Sequence, residues 1–187
     1  SENIFYYLTV YNEPIVQPAE PENVDVNGIL KGMYLFAPSQ NQDGNRAQIL
    51  ASGVAMPWAL DAQNILRDEW GVNADVWSVT SWNELRRDGL AADRHNLLNP
   101  QDLRTAYVTQ RLANQPGPVI AVSDYMRSVQ DGIREWVPQN FTSLGTDGWG
   151  MSDTRGALRR HFLVDAQSIV VQTLAMLAKE GKFDSAR

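Results

Sequence analysis

The chain has 187 residues, 43% hydrophobic and 20% charged, a balance typical of one globular domain with a sizeable core. The net charge of −6 disfavours nucleic acid and anionic membrane as partners, because both are bound mainly through clustered Lys and Arg. The absence of cysteine excludes disulfides, thiolate metal sites and cysteine nucleophiles. The sequence shows neither a signal-peptide pattern nor an apolar run long enough to span a bilayer, so we expect a cytoplasmic protein.

The first part of the chain predicts one strand, a linker and two further strands. Aromatic and β-branched residues favour a strand over 4–10, and the Pro-rich stretch 17–22 favours a linker. Two short strands are then predicted at 32–36 and 47–51, joined by a loop that contains glycine.

The middle of the chain alternates between helix and strand. Ser52 and Gly53 predict a turn, and apolar residues at helical spacing predict a helix over 58–70 that ends at Gly71. A buried strand is predicted over 74–79 and a short helix over 83–90.

The same alternation continues towards the C-terminus. Pro100 is expected to open a helix that reaches residue 112, and strands are predicted at 119–122 and 141–144, with a helix over 125–137 between them. Strands alternating with helices predict a three-layer α/β/α domain with a mostly parallel sheet of about five strands.

The last strand leads into a glycine-rich loop at 145–150. Ser152 or Asp153 is expected to cap the helix that follows, and Asp165 is expected to cap a final helix that stops at Gly181. Glycines ahead of a helix start can cradle an anion, but the carboxylate of Asp153 would oppose one. We favour a strand-to-helix connection whose tryptophan fills an interface.

Other local patterns give weaker indications. Ser52 and Gly53 could hold a phosphate at a helix N-terminus, but without a phosphate-loop motif an ordinary turn is favoured. His95 and His161 lack metal-ligand spacing, and His161 suits a helix end, where a cation is favourable. A hydrolase that pairs Ser52 or Ser152 with a histidine is disfavoured, because G-x-S-x-G is absent.

Taken in order, these segments resemble the C-terminal region of the homodimeric type of pyruvate dehydrogenase E1 component, a thiamine diphosphate-dependent family of the transketolase superfamily. The resemblance covers almost the whole chain. It is carried by residues 2–7, 29–34, 75–81, 84–85, 87–89, 123–126 and 144–150, with Ser152, Asp153 and Arg155.

The resemblance implies an enzyme that decarboxylates pyruvate and passes the acetyl group to the lipoyl arm of E2. In such enzymes Mg²⁺ and thiamine diphosphate are held through a G-D-G motif and a downstream asparagine. Here Thr146 precedes Asp147 and Gly148, and no asparagine follows them. We therefore assign no catalytic, cofactor or metal residue to this chain, and expect it to be inactive alone.

The resemblance also implies the domain organisation and the partners. Residues 1–24 would end a preceding pyrimidine-binding domain and its linker, and 25–187 would form a transketolase C-terminal-like domain that supports a homodimer. The implied partners are the remaining E1 domains, the E2 dihydrolipoyl acetyltransferase and E3, with no nucleic acid and no membrane. The alternative is a free-standing regulatory module that binds a nucleotide or phosphate. The candidate interface loop comprises Asp147, Trp149, Ser152, Asp153 and Arg155.

Overall fold

The structure, a computed structural model, describes residues 3–6, 10–11, 14–184 and 186. Its centre is a five-stranded sheet in the order β1-β3-β2-β4-β5, in which four strands are parallel and β1 runs antiparallel to β3. The strands are β1 Met33–Ala37, β2 Asn45–Ala51, β3 Val72–Val79, β4 Val119–Val122 and β5 Phe141–Leu144. The predicted α/β/α class with about five strands is confirmed.

Helices cover both faces of this sheet. They are α1 Val26–Lys31, α2 Ala55–Trp70, α3 Trp82–Leu98, α4 Tyr107–Leu112, α5 Arg127–Asp131, α6 Arg155–His161 and α7 Ala166–Lys179, with a short 3₁₀ helix at Arg134–Trp136. Residues of α2 and α7 form one hydrophobic cluster with the sheet, and residues of α3 and α4 form the other. Neighbouring strand residues serve opposite clusters, as Ile49 and Leu50 do, because side chains alternate across a strand.

Helix α2 shows how local sequence sets an element. Its sheet-facing positions Ala55, Ala59, Ala62 and Leu66 are fully buried, and their spacing is that of one helical face. The helix ends where Gly71 adopts a left-handed conformation at φ 65° and donates its N–H to the carbonyl of Leu66. Both the helix and its stop were predicted from the sequence.

A buried polar network ties β2 to β3. Arg46 Nη2 and Asp75 Oδ2 lie 2.6 Å apart, with each side chain only 4% exposed. Gln48 Nε2 donates to the same carboxylate oxygen at 3.0 Å, and Gln48 Oε1 accepts from Trp77 Nε1 at 2.8 Å. The amide of Ser39 donates to the other carboxylate oxygen at 2.8 Å. The buried charges of Arg46 and Asp75 are thus paired and hydrogen-bonded, which offsets the cost of removing them from water.

Several predicted boundaries were wrong. The strand expected over 4–10 is absent from residues 4–6 and 10, while 7–9 lie outside the described residues. Helix α3 is twice as long as predicted, because beyond Gly89 it buries only Ala92 and its apolar residues form no regular face. The helix expected over 125–137 is broken after Asp131, at Gly132, and continues only as a 3₁₀ turn.

The helix expected to open at Pro100 begins only at Tyr107. The segment before it is held against α3 outside a helix, since Asn96 Oδ1 accepts from the amide of Arg104 at 2.7 Å and Asn96 Nδ2 donates to its carbonyl at 2.9 Å. Asp88 then accepts the amide of Tyr107 at 2.5 Å. Contacts distant in sequence thus override the local proline signal.

By length and composition alone the stretch Arg155–Lys179 could cross a membrane, contrary to the sequence expectation. It consists of two helices, α6 and α7, separated by residues 162–165. Ile169, Thr173 and Leu177 of α7 are fully buried within the domain, and α7 packs against α2. The core helix of a soluble protein passes the same test, and α7 is a core helix of this fold.

Candidate functional site

The carboxyl ends of β2 and β4 meet at the point where the strand order changes direction. The chain leaves β2 towards β3 on one side and leaves β4 towards β5 on the other. Such a switch point opens a crevice that binds ligands in many open α/β sheets. Here it contains Ser52 and Ser123, whose hydroxyl oxygens lie 2.8 Å apart, and Trp82 Nε1, which donates to Ser52 Oγ at 3.0 Å.

The cavity beside these serines has neutral walls. It measures about 630 Å³, and its described lining carries hydroxyl, amide and aromatic groups, with no Lys, Arg or His. A nucleotide or phosphate site needs cationic groups or a free helix N-terminus. The first two amides of α2, those of Ala55 and Met56, donate to the carbonyls of Ser52 and Gly53 at 3.1 and 3.2 Å. The geometry therefore gives no support to the regulatory phosphate-binding alternative at Ser52 and Gly53.

Tyr11 covers the turn at Gly53. Its hydroxyl donates to Asp124 Oδ1 at 3.3 Å, and a β-carbon placed on Gly53 would lie 2.3 Å from the same hydroxyl. Burial, followed by the negative charge of Asp124, raises the pKa of Tyr11 above its usual range. The turn that was considered as an anion cradle is thus occupied by the chain's own N-terminal segment, a contact that no local sequence pattern predicts.

Neither histidine is placed to activate a serine. His95 Nε2 lies 2.8 Å from the carbonyl of Asp102. His161 ends α6, as predicted, and its ring meets that of Phe162 edge-on at 5.0 Å. The described hydroxyl contacts of Ser52 are Ser123 and Trp82, which are not bases, so the hydrolase interpretation finds no support. Within the described residues no group of three or more His, Cys, Asp or Glu could hold a metal ion.

The candidate interface loop rises from a fixed base. The amide of Thr146 donates to the carbonyl of Tyr125 at 3.0 Å, and the amide of Arg127 donates to Asp147 Oδ1 at 2.9 Å. A β-carbon on Gly145 would lie 2.5 Å from the Tyr125 carbonyl oxygen, so this position requires glycine. The loop is therefore anchored to the end of β4 before it enters solvent.

All five predicted interface residues are exposed. They are Asp147, Trp149, Ser152, Asp153 and Arg155. The predicted N-cap was wrong. Thr154 caps α6 by accepting from the amide of Ala157 at 3.4 Å, while Asp153 accepts from the neighbouring amide of Thr154 at 2.6 Å.

Five of the six tryptophans belong to the interior or its border. Trp77 and Trp82 are buried, and Trp58, Trp70 and Trp136 are half-buried and pack against the two hydrophobic clusters. The sixth, Trp149, is 93% exposed. The tryptophan that the sequence suggested as an interface residue thus has an exposed side chain, and large aromatic side chains are common interface anchors.

Comparison with known proteins identifies the fold family. The family model described as the transketolase-like TK C-terminal domain matches residues 32–165, which include all five strands. The chain belongs to this family. The match begins at the left-handed Gly32 that ends α1 and runs to Asp165, the N-cap of α7.

Two curated relatives match almost the whole of this chain. The pyruvate dehydrogenase E1 component of Mycolicibacterium smegmatis is 56% identical over 185 residues, and that of Escherichia coli K12 is 41% identical over 185 residues. In both cases the match covers 98% of this chain and 20% of the relative. The chain therefore spans about one fifth of the length of these relatives.

Solved structures give the same fold at low sequence identity. The transketolase from Leishmania mexicana matches with a TM-score of 0.54 and 21% identity, covering 84% of this chain and 20% of that one. A transketolase from Pichia stipitis, in complex with sedoheptulose 7-phosphate, matches with a TM-score of 0.57 and 19% identity, covering 89% of this chain and 21% of that one. At this level of identity the likeness concerns the fold alone.

Proposed function

We propose that this chain is the C-terminal domain of a pyruvate dehydrogenase E1 component, acting within a longer enzyme that decarboxylates pyruvate and acetylates the lipoyl group of E2. The supporting observation is 52–57% identity across 98% of the chain to three relatives of that name. E2 and E3 would be its partners in a cytoplasmic complex, and thiamine diphosphate with Mg²⁺ would be the cofactors of the full enzyme.

The described residues do not fit those cofactors. Asp147 lies at the surface and accepts the amide of Arg127, and the described part of the chain offers no cluster of acidic or histidine ligands for a hard cation. We therefore derive no chemical step on this chain. Its role in the proposed enzyme is to support the domains that carry the cofactor and to extend the dimer contact.

The candidate interface loop supplies the proposed contact. An anchored base presents Trp149 to solvent beside Met151, which is 55% exposed, and an exposed tryptophan is stabilising only when another surface covers it. We propose that the loop packs on the pyrimidine-binding domain as part of the dimer contact and that Trp149 is buried there in the full enzyme.

Full-length E1 with and without residues 25–187 tests the role. We expect the shortened enzyme to lose dimerisation in analytical ultracentrifugation and to lose pyruvate turnover. Trp149→Ala in the full enzyme should raise the dimer dissociation constant about tenfold or more, as truncation of an interface anchor typically does. Leu103→Ala, which removes another exposed side chain outside the loop, is the control. An unchanged dimer and full turnover in the shortened enzyme would refute the role.

Calorimetry of the 187-residue chain addresses the alternative function. We expect no strong binding of thiamine diphosphate or of nucleotides, because the crevice walls are neutral and Tyr11 covers the turn. Saturable binding in the micromolar range, lost in a Ser52→Trp variant, would favour the regulatory module.

A further inference from the structure

Leu163 has the only positive φ angle, 58°, among the non-glycine residues that the structure describes. It follows the C-cap of α6, where its amide donates to the carbonyl of Arg160 at 3.2 Å and the amide of Val164 donates to that of Arg159 at 3.0 Å. This is the hydrogen-bond pattern of a Schellman motif, which places the residue after the cap in the left-handed region and favours glycine there. A leucine β-carbon clashes with the backbone in that conformation.

The domain itself gains little from the leucine side chain. Leu163 is 57% exposed, whereas Val164 is 2% exposed and belongs to the core, and Phe162 packs against the same cluster. The motif would form with less strain if glycine stood here. Observed strain of this kind is a reason to look for a function at the position.

The surroundings of Leu163 have the shape of a docking surface. Leu163 forms a ridge between two grooves of about 260 and 270 Å³, both of which also contact Leu144 of β5. One groove reaches Asp147, the base of the candidate interface loop, and the other reaches Val171, which is 66% exposed. Strand β5 pairs only with β4 in the described part of the chain, so this ridge stands at an open edge of the sheet.

Charges around the ridge are balanced. Arg127 and Asp147 line the first groove, and Arg160 and Asp165 line the second, where Arg160 Nε lies 3.7 Å from Asp165 Oδ2. A complementary surface would therefore offer chiefly an apolar pocket for the leucine. Continuity with the interface loop indicates that one partner covers both.

We infer that Leu163 is a docking residue, buried in the assembled enzyme by the E1 polypeptide that lies outside these 187 residues. The inference rests on the proposed function, and it names a second contact for the same surface. Its occupant follows from two observations: the chain spans about one fifth of its E1 relatives, and one groove beside the ridge is lined by Asp147, at the base of the loop that carries Trp149.

Thiol labelling measures burial at this position directly. The chain contains no cysteine, so Leu163→Cys and the control Leu103→Cys each introduce one thiol into the 187-residue protein. We expect both thiols to react rapidly with iodoacetamide there. In full-length E1, followed peptide by peptide with mass spectrometry, labelling at position 163 should slow at least tenfold while labelling at position 103 stays fast.

Equal labelling at position 163 in the short and full-length proteins would overturn the inference. Protection that arises only after E2 is added would also overturn it, because the occupant would then be E2. Either result can occur while deletion of the domain still abolishes dimerisation. The labelling experiment can therefore refute burial of Leu163 without refuting the proposed role of the domain.

Stability of the 187-residue chain gives an independent test of the strain. Leu163→Gly and Leu163→Asn should keep or raise the Tm, by about 2–4 °C for a domain of this size. Leu103→Gly, at an exposed position without a positive φ, should lower it. A lower Tm in both variants at position 163 would show that the side chain is used inside the domain.

Discussion

Gly117 is the residue where the fold tolerates a side chain least. At φ 88° it packs on β2 so closely that an added β-carbon would lie 1.8 Å from the carbonyl oxygen of Arg46. Gly148 has the same φ of 88° but nothing within 4 Å of the added carbon. An alanine would therefore have the same unfavourable φ at both positions, but it would clash with the backbone only at Gly117.

We expect Gly117→Ala to destabilise the domain by more than about 3 kcal/mol, because backbone must move away from backbone. Gly148→Ala should cost only about 1 kcal/mol, the penalty of a left-handed alanine. Urea unfolding of the two variants measures the difference. Equal losses would mean that the loop around Gly117 shifts freely.

Tyr107 is predicted to make stability depend on alkaline pH. Its hydroxyl donates to the carbonyl of Met33 at 3.1 Å, and burial raises the pKa of the phenol despite the opposing charge of Arg111. A raised folded-state pKa favours folding fully below the unfolded value, about 10 for tyrosine, and the contribution is lost as pH rises through the folded value.

The free energy of unfolding should therefore fall less between pH 9 and about pH 11 in Tyr107→Phe than in the parent protein. At neutral pH the variant should lose about 1 kcal/mol, the net contribution of one hydrogen bond. Tyr6→Phe, at an exposed position, is the control. Parallel pH profiles for all three proteins would contradict the assignment.

At the scale of elements, the β2–β3 pair depends on the buried ion pair between Arg46 and Asp75. Asp75→Ala should cost about 3–5 kcal/mol, because it leaves a buried guanidinium without its counter-charge. Arg87→Ala, which breaks an exposed pair with Glu84, should cost less than about 1 kcal/mol. Combining Arg46→Met with Asp75→Leu should recover only part of the loss, because Gln48 and the amide of Ser39 still lack their acceptor, and chemical denaturation compares the variants. A small loss in Asp75→Ala would show that water reaches the site.

Local patterns in the sequence predicted elements whose burial is regular and missed those set by distant contacts. The run 119–122 is wholly apolar, and 74–79 is mostly so, because both faces of these strands are covered, and their strands were therefore predictable. The antiparallel pairing of β1 with β3 depends on a return of the chain through α2, which local spacing does not encode. The late start of α4 depends likewise on Asp88 and Asn96 of α3.

The candidate site was predictable in part. Glycines and a tryptophan in the loop at 145–150 indicated an exposed connection, and the structure places all five proposed residues on the surface. Leu163 and Tyr11 carried no such signal, because leucine is uncommon in left-handed conformations and the Tyr11–Asp124 bond joins residues 113 positions apart.

At the scale of the whole molecule, we propose that residues 25–187 fold without the segment before them. All five strands lie between residues 33 and 144, and the described part of residues 1–24 forms no helix or strand. It contacts the domain through the hydroxyl of Tyr11 and through half-buried side chains at Ile15, Pro18, Pro21 and Val24. A chain that begins at Asp25 should unfold in one cooperative transition, less stable by about 1–3 kcal/mol because that hydrogen bond and this packing are missing.

A matched chain that begins at Val26 provides the control. This chain lacks Asp25, which caps α1 and whose Oδ2 lies 3.4 Å from Arg111 Nη1 of α4. It should be less stable by about 1 kcal/mol than the chain that begins at Asp25, because the helix cap is lost. Loss of cooperative unfolding in the longer of the two chains would place the domain boundary earlier than residue 25.

At the crevice between β2 and β4 the N-terminal segment contacts the sheet. In many sheets of this topology small molecules bind at that position, whereas here Tyr11 lies across the adjoining turn. Because Gly53 follows β2 and Asp124 follows β4, this one tyrosine bridges the turns at the ends of both central strands.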